Sequence, residues 1–213
     1  MDVTFSQLSR LVNFIDKTEQ ETYPETPSFI HNEITGKTLE SIFSRYPLTE
    51  DTKVLDIGCG QGPALKIFQE KGIRNAIGIT LNDEDVQACR VKGFDVRKMD
   101  QSFLEFPDGT FDFVWARHVI EHSLFPYFTL SEYARVMHPG SMLYLEVPAP
   151  ETSCRHETNP NHYSVFSKNA WNSLLQRSGF TVLEEVKFSF PTGMGPDEYW
   201  GYICSLTDRN AAA

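Results

Sequence analysis

The sequence predicts an α/β fold, a doubly wound and mostly parallel seven-stranded sheet with an antiparallel C-terminal strand and an N-terminal helical cap. Three observations predict it. From Lys53 onward, short apolar runs alternate with helical patterns, as in a parallel sheet covered by helices on both faces. A glycine-rich turn, Gly58-Cys59-Gly60-Gln61-Gly62, stands where the first of those runs becomes a helix. The last two runs are separated only by the Gly/Pro-rich residues 191–197, too short a link for a crossover helix, so these strands should pair antiparallel.

The elements follow in order. Phe5, Leu8, Leu11, Val12 and Ile15 recur at helical spacing, so residues 4–18 read as an amphipathic helix. Pro24 and Pro27 interrupt the next stretch, and residues 22–37 carry no regular pattern. Leu39, Ile42 and Phe43 predict a second helix that stops before Pro47. Strands are expected at 54–57, 76–80, 94–98, 111–116 and 142–147. The helix at 63–70 has Pro63 at its start, where a missing N–H costs nothing. The helix at 83–91 opens on acidic residues that suit its positive end. A third, at 131–137, is stopped by Pro139-Gly140. Residues 149–164 form a polar, proline-punctuated loop. Ser167 caps a helix through Arg177 that Gly179 ends, and strands at 181–188 and 199–206 complete the sheet. Residues 1–50 are expected to form the cap segment, 51–208 one domain and 209–213 a tail. The ligand crevice of such a sheet lies at the carboxyl ends of its first strands.

The chain of 213 residues is 23% charged and 40% hydrophobic, which leaves out collagen, coiled coil and long disorder. Nineteen Lys+Arg against twenty-nine Asp+Glu give a net charge of −10. That balance is unsuited to a phosphate backbone or an anionic bilayer, so neither nucleic acid nor membrane is an expected partner. The N-terminus lacks a basic and then apolar leader. Cys59, Cys89, Cys154 and Cys204 include no C-x-x-C pair and read as reduced thiols. A cytoplasmic location is expected, and the oligomeric state is not readable.

The glycine loop decides the ligand class. A dinucleotide fold wants G-x-G-x-x-G, with a helix N-terminus facing pyrophosphate. Here the spacing is G-x-G-x-G, and Asp56 stands two residues before the first glycine. A carboxylate there repels pyrophosphate and suits a ligand bearing an ammonium group, which argues against a nicotinamide-dependent oxidoreductase.

Asp56-x-Gly58-x-Gly60-x-Gly62 resembles the first motif of the class I S-adenosylmethionine-dependent methyltransferases, whose fold is Rossmann-like. Four further segments resemble that family in the same order: 106–112 leading into the fourth strand, Val119-Ile120-Glu121-His122 after it, 135–140 before the fifth, and the helix from Phe166-Ser167 to Gly179-Phe180. The likeness runs from about Lys53 to Phe188 and is to small-molecule members of the methyltransferase 11/12 type. It implies S-adenosyl-L-methionine as cofactor. Gly58, Cys59 and Gly60 would approach its methionine part through backbone atoms. Asp100 would accept from the adenine amino group, with Gln101 and Ser102 beside it. Arg117 and His118 would line the methionine end. The family's usual acidic residue at the end of strand two is replaced here by Thr80, within Thr80-Leu81-Asn82-Asp83. Cyclopropane-synthase-like and tocopherol-type members carry a similar run, and Thr80, Asn82 or Asp83 could each hold the ribose.

Methyl transfer from a sulfonium needs alignment and exclusion of water, and a base where the acceptor is a hydroxyl or a protonated amine. His118, His122 and His162 are the candidate catalytic residues, because histidine titrates near neutrality, and His156, Tyr163 and Glu121 are further candidates for the base. Tyr23, His31, His156, His162 and Tyr163 are candidate acceptor contacts from the segments 22–37 and 149–164. Cys154-x-His156 with His162 fits no standard zinc spacing, so no metal is expected. Asn159-Pro160-Asn161-His162-Tyr163 superficially matches a DNA amino-methyltransferase motif, but it stands in the wrong place, since the fourth strand leads into Arg117-His118-Val119-Ile120. Trp171 and Trp200 read as core. The expected activity is methylation of a small-molecule or sugar acceptor, with oxygen favoured. The alternatives are nitrogen or carbon methylation, or a cofactor-binding module without turnover.

Overall fold

A computed structural model describes residues 4–19 and 29–207. Its seven strands are β1 (Lys53–Ile57), β2 (Asn75–Thr80), β3 (Asp95–Lys98), β4 (Phe111–Arg117), β5 (Met137–Pro148), β6 (Phe180–Thr192) and β7 (Gly195–Leu206). They form one sheet in the order β3-β2-β1-β4-β5-β7-β6. β1 is central and pairs parallel with β2 and β4, and β7 alone runs antiparallel, between β5 and β6. The strand order reverses at β1, which places the crevice beyond the carboxyl ends of β1 and β4.

Strand periodicity divides the core into two layers. On β4, Val114 and Ala116 face a cluster with Leu143, Leu145, Trp171 and Leu175. Phe113 and Trp115 face the opposite cluster, with Leu39, Ile42, Phe68 and Tyr144, as a period of two requires. The first layer is covered by α5 (Pro126–Val136) and α6 (Lys168–Arg177), the second by α2 (Phe29–Arg45) and α3 (Pro63–Glu70). α4 (Asp83–Val91) packs beside β3, capped by Asn82, whose side chain accepts from the Glu84 and Asp85 amides. Ser167 caps α6 by accepting from the Ala170 N–H.

Four sequence expectations are corrected. Residues 29–37, read as irregular, belong to α2, whose only glycine, Gly36, has open space around it. α5 begins at Pro126 rather than 131, because a proline in the first turn starts a helix without loss. β5 begins at Met137 and runs through Pro139-Gly140 with a register shift against β4. Residues 191–197 are not a loop, since β6 and β7 continue as a hairpin to the turn at Gly193-Met194. There Pro191 faces Pro196 one step from the closing Thr192–Gly195 pair, a register position at which neither proline needs to donate.

α1 (Phe5–Glu19) forms as expected. Its Phe5, Leu8, Leu11 and Val12 are exposed, while Ile15 reaches the central cavity. Among the described residues no helix is long and apolar enough to cross a membrane.

Candidate active site

β1 ends at Ile57 and the chain reverses through Gly58, at φ 71°, and Gly60, at φ 48°, a region where side chains other than glycine's are strained. A Cβ on Gly58 would stand 2.7 Å from Val119 Cγ2, so the loop after β1 can pack on the loop after β4 only as glycine. The Gly58 and Cys59 amides bind the Ile79 carbonyl at 2.9 and 3.0 Å, which fixes the turn against β2.

Beyond this turn lies a cavity of about 560 Å³. One end is walled by Gly58, Gly60, Thr80, Leu81, Asn82 and Asp85. Asp100, Gln101, Ser102 and Phe103 continue that wall from the end of β3. The other end is ringed by His118, Glu121, His122, His156, His162 and Tyr199. A second cavity, of about 440 Å³, shares His31, His156, Asn159 and Tyr199 and extends along Ile30, Phe190 and Met194.

The histidine end is organised around a buried carboxylate. Arg117 and Glu146 are register partners on β4 and β5, and Arg117 Nε lies 2.7 Å from Glu146 Oε1. Glu146 also accepts from the Tyr144 hydroxyl and pairs with His118 Nε2 at 3.0 Å. Burial opposes its ionisation, but the Arg117 charge and the His118 hydrogen bond hold it below the ordinary carboxylate range. His118, at φ 52°, has its other nitrogen 3.4 Å from Glu121 Oε1. Burial would lower its pKa, yet Glu121 and Glu146 together raise it above the usual imidazole value.

His31 reaches in from α2, stacks on His118 at 5.4 Å and shares a 3.1 Å hydrogen bond with the Tyr199 hydroxyl. Burial, then the charges of His118 and Arg117, push its pKa down to about 4. Burial pushes the Tyr199 phenol up, so both groups are neutral at pH 7. The loop after β5 is stapled beneath them. Ser164 donates from its amide to the Glu121 carbonyl at 3.0 Å and from its hydroxyl to the Ser123 carbonyl at 2.8 Å. The ring centroids of His122 and His162 are thereby 4.8 Å apart, and burial lowers the His162 pKa.

A methyltransferase-domain family profile matches residues 22–185. The chain belongs to the class I S-adenosylmethionine-dependent methyltransferases. Two curated relatives are the 27-O-demethylrifamycin SV methyltransferase of Amycolatopsis mediterranei, 27% identical over 60% of this chain and 52% of that protein, and the sterol 24-C-methyltransferase of Yarrowia lipolytica, 35% identical over 73% and 48%. The chain therefore spans about half the length of the curated relatives it matches. Among solved structures, a methyltransferase in complex with the Haloferax volcanii Trm112 methyltransferase activator shares the fold with a TM-score of 0.72, at 22% identity over 83% of this chain and 92% of that one.

Of the residues the sequence singled out, the fold brings Gly58, Gly60, Thr80, Leu81, Asn82, Asp100, Gln101 and Ser102 to one end of the cavity, and His31, His118, His122, His156, His162 and Tyr163 to the rest of it. Asp56, Cys59, Gly62 and Arg117 are not among the residues that line it. Asp56 and Cys59 are buried behind the glycine turn. Gly62 sits where a Cβ would strike the Phe94 ring at 2.8 Å, so its glycine serves packing. Arg117 faces Glu146 instead of the cavity. Tyr23 lies outside the described residues.

Four contributors were not singled out as site residues. Asp85, read only as a partner of the α4 dipole, faces the cavity two percent exposed. Tyr199, read only as a strand residue, lines both cavities. Asn161 holds His122 through its carbonyl. Glu146 was legible as a charge inside the apolar run Leu143-Tyr144-Leu145-Glu146-Val147, where only a buried partner makes a carboxylate tolerable.

Proposed function

We propose that the protein transfers the methyl group of S-adenosylmethionine to a hydroxyl of a small-molecule or sugar acceptor. The observation that carries this reading is the single cavity that runs from the family's glycine turn to the ring of His122, His162 and Tyr199. The cofactor occupies the first end. Gly58 and Gly60 pass their backbone along its methionine part, and Asp100 accepts from adenine. Asp85 supplies the carboxylate that Thr80 lacks, from the first turn of α4 instead of the end of β2. Thr80 Oγ1 is engaged by the Asn82 amide at 3.4 Å and the Asn82 side chain by the α4 amides, which favours Asp85 for the ribose diol.

The acceptor enters along the second cavity, its apolar part against Ile30, Phe190 and Met194, and presents its oxygen at Glu121, His122 and His162. The reaction is an in-line displacement, in which the oxygen–carbon bond forms as the carbon–sulfur bond breaks, the electron pair returns to sulfur and the hydroxyl proton is released to solvent. The protein's work is alignment and exclusion of water. His118 has both nitrogens committed to carboxylates, which suits it to positioning Glu121. The sterol C-methyltransferase relative favours a second reading, in which the acceptor is a nucleophilic carbon. Incubation with methyl-labelled cofactor and a panel of phenols, sugars and alkenes, read by mass spectrometry, tests both. Label on oxygen is expected; label confined to carbon selects the second reading, and no labelled product with any acceptor contradicts both.

A further inference from the structure

We propose that Glu121, His122 and His162 form a binding site for a divalent first-row transition-metal ion at the acceptor end of the cavity. This reverses the expectation of no metal that the cysteine and histidine spacing suggested. One ligand atom from each residue lies within 4.8 Å of the other two. Metal–ligand bonds of 2.0–2.1 Å give separations of about 3.3 Å, which small side-chain rotations reach. Two imidazoles and a carboxylate suit zinc, manganese, iron or cobalt, with positions left open for another ligand.

Each of the three is prepared in a different way. Glu121 is 1% exposed. Its Oε1 turns toward His118, while its Oε2 is shut off from solvent with no hydrogen-bond partner. A buried carboxylate oxygen left so is costly unless a cation takes it. His122 holds Nδ1 2.8 Å from the Asn161 carbonyl, so the proton sits on Nδ1 and Nε2 presents its lone pair, the arrangement that orients metal-binding imidazoles elsewhere. His162 hydrogen-bonds the His156 backbone through one ring nitrogen, which leaves the other to ligate. Local structure explains the convergence. Glu121 and His122 are consecutive on one tight helical turn, Ile120–His122, and the Ser164 staple brings His162 over it.

A second group, Cys154, His156 and Asp197, is equally compact, but its donors are already spent. His156 Nε2 meets both Asp197 oxygens at 3.0 Å, and Cys154 Sγ lies 3.5 Å from Thr192 Oγ1. The first group combines proximity with a buried carboxylate oxygen that lacks a hydrogen bond, and all three of its residues line the central cavity.

The site's use rests on the methyl-transfer reading above. An acceptor hydroxyl oxygen that joins the ion as a further ligand has its pKa lowered and gives its proton to water. The resulting oxygen forms its bond to the methyl carbon as the sulfur–carbon bond breaks, leaving neutral S-adenosylhomocysteine. One proton is released for each methyl group transferred.

Cobalt(II) titrated into metal-stripped protein, followed by visible absorption, tests the site without any turnover. The expected result is one cobalt per chain, ligand-field bands and no thiolate charge-transfer band. Glu121→Gln, His122→Ala and His162→Ala should each weaken binding at least tenfold, whereas Cys154→Ser should leave it unchanged. Should Glu121→Gln fail to fold, the half-buried His162→Ala carries the decision. An unsaturable cobalt signal, binding that survives both histidine substitutions, or a thiolate band abolished by Cys154→Ser overturns the proposal. Calorimetry of S-adenosylhomocysteine on the same samples keeps the two readings apart, because cofactor binding without cobalt binding refutes only the metal.

Discussion

The two ends of the cavity are built differently. The end proposed for the cofactor is made from short, contiguous segments, namely the turn after β1, the β2–α4 junction and the end of β3, and much of it is backbone held by glycines and a helix cap. The end proposed for the acceptor is made from side chains that residues 31, 118–122, 156–163 and 199 bring from remote parts of the chain. It is held by a buried ion pair and by stacked rings. An end built from backbone is inherited with the fold, whereas an end built from assembled side chains is where acceptor choice resides.

The largest expected effect on cofactor affinity comes from Gly60→Val. A β-branched residue at φ 48° would be strained, and its side chain would enter the cofactor's path, so S-adenosylhomocysteine affinity should fall at least about a hundredfold, roughly 2.7 kcal/mol. Undiminished affinity by calorimetry would remove the glycine turn from the site.

Glu146→Ala strikes the other end through its foundation. It leaves Arg117 as an uncompensated buried charge and frees His118, which should cost about 3–5 kcal/mol and lower Tm by about 10 °C. Cofactor affinity per folded molecule should change little. A melting temperature within a degree or so of the parent would mean that the pair is not the anchor described.

Asp85→Ala sharpens the cofactor end. Loss of a charge-assisted hydrogen bond to the ribose should weaken cofactor binding about tenfold. If Thr80→Ala weakens it more than Asp85→Ala, the ribose is held from β2 as in most of the family.

The smallest effect is a control at the amino ends of β4 and β5, where His138 Nε2 meets Asp112 Oδ1 at 2.6 Å. The Asp112 hydrogen bond raises the His138 pKa. A raised folded-state pKa stabilises fully below the unfolded value near 6.5 and loses that contribution as pH rises through the folded value. The pair is two-fifths exposed, so it is worth about 1 kcal/mol or less. Asp112→Asn should therefore lower Tm more at about pH 5.5 than at about pH 9, and an equal loss at both would show that the Lys53 amide bond to Asp112 carries the effect.

Legibility followed the same division. The succession of strands and helices, the glycine turn and the Asp100 segment could be read because each is local. Residues 29–37 could not, since Gly36 and the polar run Asn32-Glu33 hide a helix stabilised by packing Leu39 and Ile42 farther along. The hairpin beyond Phe188 was hidden by two prolines that a strand tolerates only where the ladder needs no N–H from them. Tyr199 and Glu146 join the site through pairing across β5 and β7 and beneath His118, contacts that no spacing along the chain encodes. Glu121 and His122 were legible as a motif, whereas their meeting with His162 depends on the Ser164 staple.

The separation of the two ends is tested most directly by His162→Ala, with S-adenosylhomocysteine binding and single-turnover methyl transfer measured on the same preparation. Cofactor affinity should stay within about twofold, as for distant independent sites, while methyl transfer falls about a hundredfold or more, the scale at which an acceptor-activating group acts. Loss of cofactor binding in step with transfer, or a melting temperature that falls while turnover per folded molecule is unchanged, would contradict the account.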